Sequence, residues 1–276
     1  MRSFRLAAHA KINTFLAVGP RRDDGHHDLR TVYQAISLCD DVEFRPSDRL
    51  EICCSQPGLS GEANLAWKAL RLLAETVEPP HVRIHIQKRI PLQAGLGGGS
   101  SDAAAVLYGA NRLLDNVCAE RDLLTIAAAC GADVPFFLLR TARARGTGRG
   151  DRVEAIPAPS SRPIVIAKPA TGVRTGDAYA GLDVLPERPF LDFPDDESAA
   201  HNDFDAVAPL ESARLIERLG ALGAECAQLC GSGSAVFGLF SQDAQAGLAA
   251  ETLKLECAWT HVGHTLTRME GPEWTP

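Results

Sequence analysis

One stretch limits the possible folds of this chain more than any other: Pro91-Leu-Gln-Ala-Gly-Leu-Gly-Gly-Gly-Ser-Ser-Asp102. It separates two segments of different periodicity. Upstream, Val82, Ile84 and Ile86 alternate with Arg83, His85 and Gln87, the pattern of a half-buried strand. Downstream, Ala103, Val106, Leu107, Ala110, Leu113 and Leu114 fall on one helical stripe. A strand must therefore pass into a helix through Gly95, Gly97, Gly98 and Gly99. Without Cβ atoms, successive backbone N–H groups can converge on one anion. A helix beginning near Ser100 adds its own unpaired N–H groups and the positive end of its dipole. The hydroxyls of Ser100 and Ser101 add further donors, so the stretch reads as a phosphate site. It is neither of two better-known phosphate loops. No lysine follows the glycines, as G-x-x-x-x-G-K-[ST] requires, and a G-x-G-x-x-G started at Gly95 meets serine at position 100.

The segments around this loop supply candidate chemistry. Phe4 to Val18 reads as a strand or strand pair, with Lys11 and Asn13 on one face and Ile12 and Thr14 on the other. Lysine is rarely buried without a partner, so Lys11 in an apolar strand calls for a counter-charge. Asp133 is a candidate. It follows a helix of about Glu120 to Cys130, for which Gly131 suits a left-handed cap, and precedes Pro135, Phe136 and Phe137. This setting predicts a carboxylate near apolar groups, although a turn or capping aspartate is an equal reading. A Lys11–Asp133 pair would satisfy both charges and lower the proton affinity of the carboxylate. Val32 to Phe44 reads as a strand interrupted at Asp40 and Asp41, and Asn64 as the cap of a helix reaching about Thr76. Gly231-Ser-Gly-Ser234 is a tight loop or a ligand contact, with both readings open.

Composition narrows the classes. With 276 residues, 45% hydrophobic and 23% charged, the chain suits one large or two medium globular domains. Its net charge of −7 argues against a general nucleic-acid binder, which needs a basic face. The eight cysteines are scattered and none forms C-x-x-C, which suits reduced thiols in a cytoplasmic protein. No apolar run approaches the roughly 18 residues of a membrane span. His26 and His27 have no Cys or carboxylate at ligand spacing, so no metal site is expected there. Gly146 to Pro163 shifts to Gly, Arg, Pro and Ser and marks a boundary between domains 1–150 and 151–276. Pro186 to Glu197 reads as a long surface loop.

Five blocks, in order along the chain, carry a resemblance. They are Ala10-Lys11-Ile12-Asn13 with Asp24-Gly25-x-His27 and Thr31-x-x-Gln34; Pro91-x-x-x-Gly95-Leu-Gly-Gly-Gly-Ser-Ser-Asp-Ala-Ala104; Gly131-Ala-Asp-Val-Pro-Phe-Phe137; His201-Asn-Asp203; and Gly231-Ser-Gly-x-x-Val-Phe237. Together they resemble the GHMP kinase superfamily, small-molecule kinases with a glycine–serine loop in place of a Walker A motif. The glycine loop alone specifies only the superfamily. The Asp133 block and the Lys11/Asn13 strand narrow the resemblance to the branch that acts on a cytidine-diphosphate-linked alcohol.

The resemblance implies an α+β, two-domain GHMP kinase fold, with a ribosomal protein S5 domain 2-like N-terminal lobe, a ferredoxin-like C-terminal lobe and the active site in the cleft. It implies ATP as phosphoryl donor, with Mg²⁺ bound mainly through the ATP phosphates. Asp133 would be the general base, and Lys11 would orient it and stabilise developing charge. Pro91, Leu92, Gln93, Ala94, Gly95, Leu96, Gly97, Gly98, Gly99, Ser100 and Ser101 would wrap the phosphates. Asn13, His26, His27 and Tyr179 would contact a small cytidine-diphosphate-linked substrate. His26 stands where the family usually has Tyr or Phe stacked on the cytosine, and Tyr179 is placed as the second ring of that clamp. A monomer or weak homodimer is implied, with no nucleic-acid or membrane partner. Two other readings stay open: a superfamily kinase for a mevalonate-pathway or sugar alcohol, and a nucleotide-binding module without catalysis. The presence of both Lys11 and Asp133 speaks against the second.

Overall fold

The structure is a computed structural model that describes residues 3–56, 58–61, 64–186, 188–195, 199–269 and 273–274. Asp196 and Glu197, assigned to the surface loop from sequence, lie outside the described residues. The chain runs β1 (Phe4–Arg21), β2 (His27–Pro46), β3 (Glu51–Cys54), α1 (Leu65–Ala74), β4 (Val82–Gln87), α2 (Gly98–Leu113), α3 (Glu120–Cys130) and α4 (Val134–Leu138). It continues through β5 (Arg143–Thr147), β6 (Arg152–Ala155), β7 (Pro163–Lys168), α5 (Thr175–Asp183), β8 (His201–Asn202), a 3₁₀ turn (Asp203–Val207) and α6 (Leu210–Ala221). The last elements are β9 (Cys226–Leu229), β10 (Val236–Leu239), α7 (Asp243–Leu253), β11 (Trp259–His264) and β12 (Glu273–Trp274).

Two sheets organise these elements. The first has the path β12-β1-β2-β4-β3, with β5 and β6 added beyond β2 and β8 beside β1. The second is the antiparallel set β11-β7-β10-β9. The first sheet runs past position 150: half of the Gly- and Arg-rich stretch is the β5–β6 hairpin, turned at Gly148 and Gly150, and the sheets divide between Ala155 and Pro163. Both β8 and β12 return from the C-terminal half to pair with β1.

The alternation of β1 decides where the site lies. Its apolar side chains Ala10 and Ile12 enter a core shared with Ile36, Ile90 and Leu96 of the first half and Ile164, Ile166 and Phe237 of the second. Full burial of one such side chain contributes about 1.5–3 kcal/mol, so this shared core joins the two sheets firmly. Lys11 and Asn13 point the other way, into a cleft. Helices α1 to α4 cover the first sheet through Leu70, Val106 and Phe136, whereas α5, α6 and α7 cover the second through Leu182, Leu219 and Leu253.

Two local expectations change. Gly131 is extended (φ −177°) rather than left-handed, because the chain turns at once into α4 through a Val134 N–H to Gly131 carbonyl bond. Strand β2 continues unbroken through Asp40 and Asp41, since the Asp40 carboxylate is fully buried on partners of its own. The Asn64 cap is as read: its side chain accepts from the Ala66 N–H at 2.9 Å.

Candidate active site

The glycine loop bridges the two halves of the molecule. Helix α2 starts at Gly98, two residues before the start near Ser100 read from the sequence, and no side chain caps it. Gly97 at the cap position is left-handed (φ 71°), a conformation that disfavours residues with a Cβ. A Cβ there would also lie 2.9 Å from the Phe137 ring and 3.1 Å from Lys11 Cγ. At Gly95 (φ 73°) a Cβ would come within 1.7 Å of the Cys230 carbonyl oxygen, so the loop rests directly on the turn before β10. The Lys11 N–H donates to the Leu96 carbonyl at 3.0 Å, which fastens the middle of the loop to β1.

Beneath the loop lies a cavity of about 300 Å³. Every residue from Pro91 to Ser100 lines it, with Lys11, Asn13 and Asp133 on the facing wall and Gly231 and Ser232 at one side. Ser101 is buried and does not contribute to the lining. The turn at Gly231 is held by Asn202, whose side-chain amide donates to the Gly231 carbonyl at 2.8 Å and the Leu229 carbonyl at 3.1 Å.

Lys11, the lysine without an obvious counter-charge, is 4% exposed and finds two partners. Its Nζ donates to Asn13 Oδ1 at 2.7 Å and lies 3.6 Å from Asp133 Oδ2. Asn13 is fixed in turn by donating to the Thr31 hydroxyl at 2.7 Å, which itself donates to the Phe15 carbonyl at 2.9 Å. The Asp133 side chain is 31% exposed. Its setting is polar, contrary to the apolar surroundings expected from Pro135 to Phe137: the other carboxylate oxygen accepts from the Tyr33 hydroxyl at 3.0 Å. The Gly150 carbonyl, 3.2 Å from the same hydroxyl, is the alternative acceptor for its single proton, and burial together with the Asp133 charge pushes the phenol well above the ordinary tyrosine range.

A second cavity of about 690 Å³ opens beside the first, and Ser100, Asp133, Thr175, Tyr179 and Leu29 line both. Its further wall carries His26, His27, Asp183, Arg21 and Arg149. His26 is exposed at the rim. His27 is buried, stacked on the Tyr179 ring (5.0 Å, 19°) and bonded through Nε2 to Asp183 at 2.8 Å. Tyr179, read from sequence as the second ring of a clamp with His26, stacks here on His27. Among the described residues no group of three His, Cys, Asp or Glu side chains is placed to hold a metal ion, and no helix is long and apolar enough to cross a membrane.

Residues 64–141 match the family model for the GHMP kinases N-terminal domain. Over 94% of its length the chain is 37% identical to the 4-diphosphocytidyl-2-C-methyl-D-erythritol kinase of Pelobacter propionicus, covering 97% of that protein. It is 40% identical to the enzyme of the same name from Geobacter metallireducens, again over 94% of this chain and 97% of that one. The chain belongs to the 4-diphosphocytidyl-2-C-methyl-D-erythritol kinase family, a branch of the GHMP kinases. A solved structure of 4-(cytidine 5'-diphospho)-2C-methyl-D-erythritol kinase superposes with a TM-score of 0.81 at 33% identity, over 97% of this chain and 100% of that one. A mevalonate kinase structure shares the GHMP kinase fold at 12% identity, with a TM-score of 0.71 over 96% and 99% of the two chains.

Sequence reasoning missed several residues of this family site. Tyr33 looks like an ordinary β2 strand residue, and only the β1–β2 register, which pairs it with Asn13, brings it to the site; Thr31 stands in a motif block but has no role assigned from sequence. Asp183 gives no local signal. Asp40 had one, because the rule that singled out Lys11, a charge inside an apolar strand, applies equally to it.

Proposed function

We propose that this chain transfers the γ-phosphoryl group of ATP to the 2-hydroxyl of 4-diphosphocytidyl-2-C-methyl-D-erythritol, a step in non-mevalonate isoprenoid precursor synthesis. The observation that carries the reading is the Lys11–Asp133 pair on the wall facing the glycine loop, with Asp133 shared by the two adjoining cavities. ATP phosphates occupy the smaller cavity against the N–H groups of Leu92 to Ser100 and the start of α2. The acceptor occupies the larger one, its cytosine held by His26, His27 and Tyr179 and its alcohol directed at Asp133 by Asn13. The two sheets, which divide between Ala155 and Pro163 rather than at position 150, act as the centres of two lobes around this cleft.

Asp133 takes the proton of the attacking hydroxyl as the new O–P bond forms and the bond to the β-phosphate oxygen breaks, with ADP leaving. General-base assistance is worth roughly 10²–10⁴-fold. The Tyr33 hydroxyl and the Lys11 ammonium orient the two carboxylate oxygens. Lys11 also faces the transferring group, where positive charge offsets negative charge spread over the phosphoryl oxygens. Mg²⁺ supplies further charge neutralisation when it arrives bound to the phosphates, and the described residues offer no carboxylate cage that would hold it alone. The decisive experiment is a coupled ADP-release assay with this acceptor. Turnover that falls roughly 10²–10⁴-fold in Asp133→Ala while ATP still binds supports the assignment. Near-wild-type turnover in that variant sinks the base, and turnover on mevalonate-pathway or sugar alcohols but not on the cytidyl acceptor sinks the substrate.

A further inference from the structure

The two ends of the phosphate loop are held by one buried ion cluster. Asp40, in the middle of β2, accepts the backbone N–H of Ile90 on Oδ1 at 2.8 Å and also that of Arg89, the residues that lead into Pro91. Its Oδ2 accepts from Lys88 Nζ. The same ammonium donates to Asp102 Oδ2 at 2.7 Å, and Asp102 sits in α2 one residue beyond Ser101. The Lys88, Asp40 and Asp102 side chains are 6%, 0% and 3% exposed. Lys88 also lines the phosphate cavity, its Nζ 3.3 Å from where a Cβ on Gly98 would stand. The remaining oxygen of Asp102, Oδ1, is buried without a partner.

Two carboxylates and one ammonium out of water are a poor way to gain stability, since well-packed apolar side chains often serve as well or better. What the cluster does that apolar side chains cannot is bind backbone N–H groups at the loop entry and a helix residue at its exit through a single cation. An anion site made of backbone N–H groups depends on their convergence, because preorganised donors lose their advantage when the frame relaxes.

We infer that Lys88, Asp40 and Asp102 are positioning residues that set the span of the phosphate loop, so that ATP affinity depends on them while acceptor affinity does not. The inference rests on the proposed kinase reading, and its test separates the two. ATP binding is measured by calorimetry without acceptor, and both KM values and kcat by ADP release. Lys88→Met is expected to weaken ATP binding about tenfold with the acceptor KM within about twofold, and Lys88→Arg to restore most of the loss. Asp40→Asn, nearly isosteric, serves the same purpose if Lys88→Met does not fold, and Asp102→Asn is expected to show the smallest change. Unchanged ATP affinity in the folded variants, or a parallel rise of both KM values, overturns the positioning role. Wild-type protein that neither binds ATP nor releases ADP would instead overturn the kinase reading itself.

Discussion

The two cavities that meet at Asp133 draw their walls from the chain in different ways. The phosphate cavity is lined by the contiguous, glycine-rich stretch Pro91 to Ser100, braced by Lys11 bonding to Leu96 and by Asp40 bonding to Ile90. The acceptor cavity is more than twice as large and is lined by residues scattered along the chain, among them the exposed His26, Arg21 and Asp183 and the half-buried Tyr179. The contrast follows from what each must recognise. A polyphosphate is the same in every ATP-dependent kinase and can be met by backbone N–H groups that no side-chain substitution removes. An acceptor alcohol differs between enzymes and needs side chains that can vary, and the departure at His26 lies there. This division also reconciles a net charge of −7 with two anionic substrates, because the anion site draws on peptide groups and on Lys11 rather than on a basic coat.

If the phosphate end owes its shape to backbone contact, the largest effect should come from adding a single methyl group. Gly95→Ala would place a Cβ 1.7 Å from the Cys230 carbonyl at a left-handed φ, so the loop or the turn at Cys230 must move. A stability loss of about 2–4 kcal/mol in denaturant unfolding is expected, with ATP affinity falling further than acceptor affinity. A variant with wild-type stability and ATP affinity would show that the loop tolerates slack and would break the contrast.

The buried cluster predicts a pH dependence of smaller size. Burial and the nearby Asp40 push the Asp102 carboxyl up to about 7 against the pull of Lys88, and Cys54 is the other titratable neighbour. An unfolded aspartate titrates near about 3.9. Between those values the folded protein keeps a proton that the unfolded chain has lost, so this group costs stability as pH rises from about 4 to about 7. Asp102→Asn removes the penalty. Its stability relative to wild type should therefore improve between pH 4 and 7, by on the order of 1 kcal/mol or more, and level off above. Unfolding curves at pH 4.5 and 7.5 decide it, and a constant difference would mean that Asp102 is ionised throughout.

The same division governs what could be read from the sequence. The strand, glycine loop and helix from Val82 to Leu113 were legible because their signal is local: a strand period, a run of glycines and a helix stripe, all within about 30 residues of contiguous chain. The pairing of Lys11 with Asp133 was half legible. Lys11 declared its need for a partner, and the resemblance to a family named Asp133, but neither local pattern showed that their side chains come within 3.6 Å. Tyr33 and Asp183 were not legible, since their roles arise from strand register and from α5 closing over β2, which are long-range facts. Gly131 shows the reverse error: a residue suited to a left-handed cap is extended here because the next helix starts only three residues later.

The smallest effect sharpens the acceptor side of the comparison. His26 is exposed at the rim of the acceptor cavity, where His27 and Tyr179 already stack on each other. A larger ring at position 26 offers more area to a cytosine base, and an aromatic pair contributes about 0.5–1.5 kcal/mol beyond simple burial. His26→Tyr is therefore expected to lower the acceptor KM by about two- to fivefold, leaving ATP affinity and kcat within about twofold. Steady-state kinetics with each substrate varied in turn read this directly. If the ATP constant moved as much as the acceptor constant, the two cavities would be coupled through Asp133 and Ser100, which line both, and the division of labour between backbone and side chains would have to be abandoned.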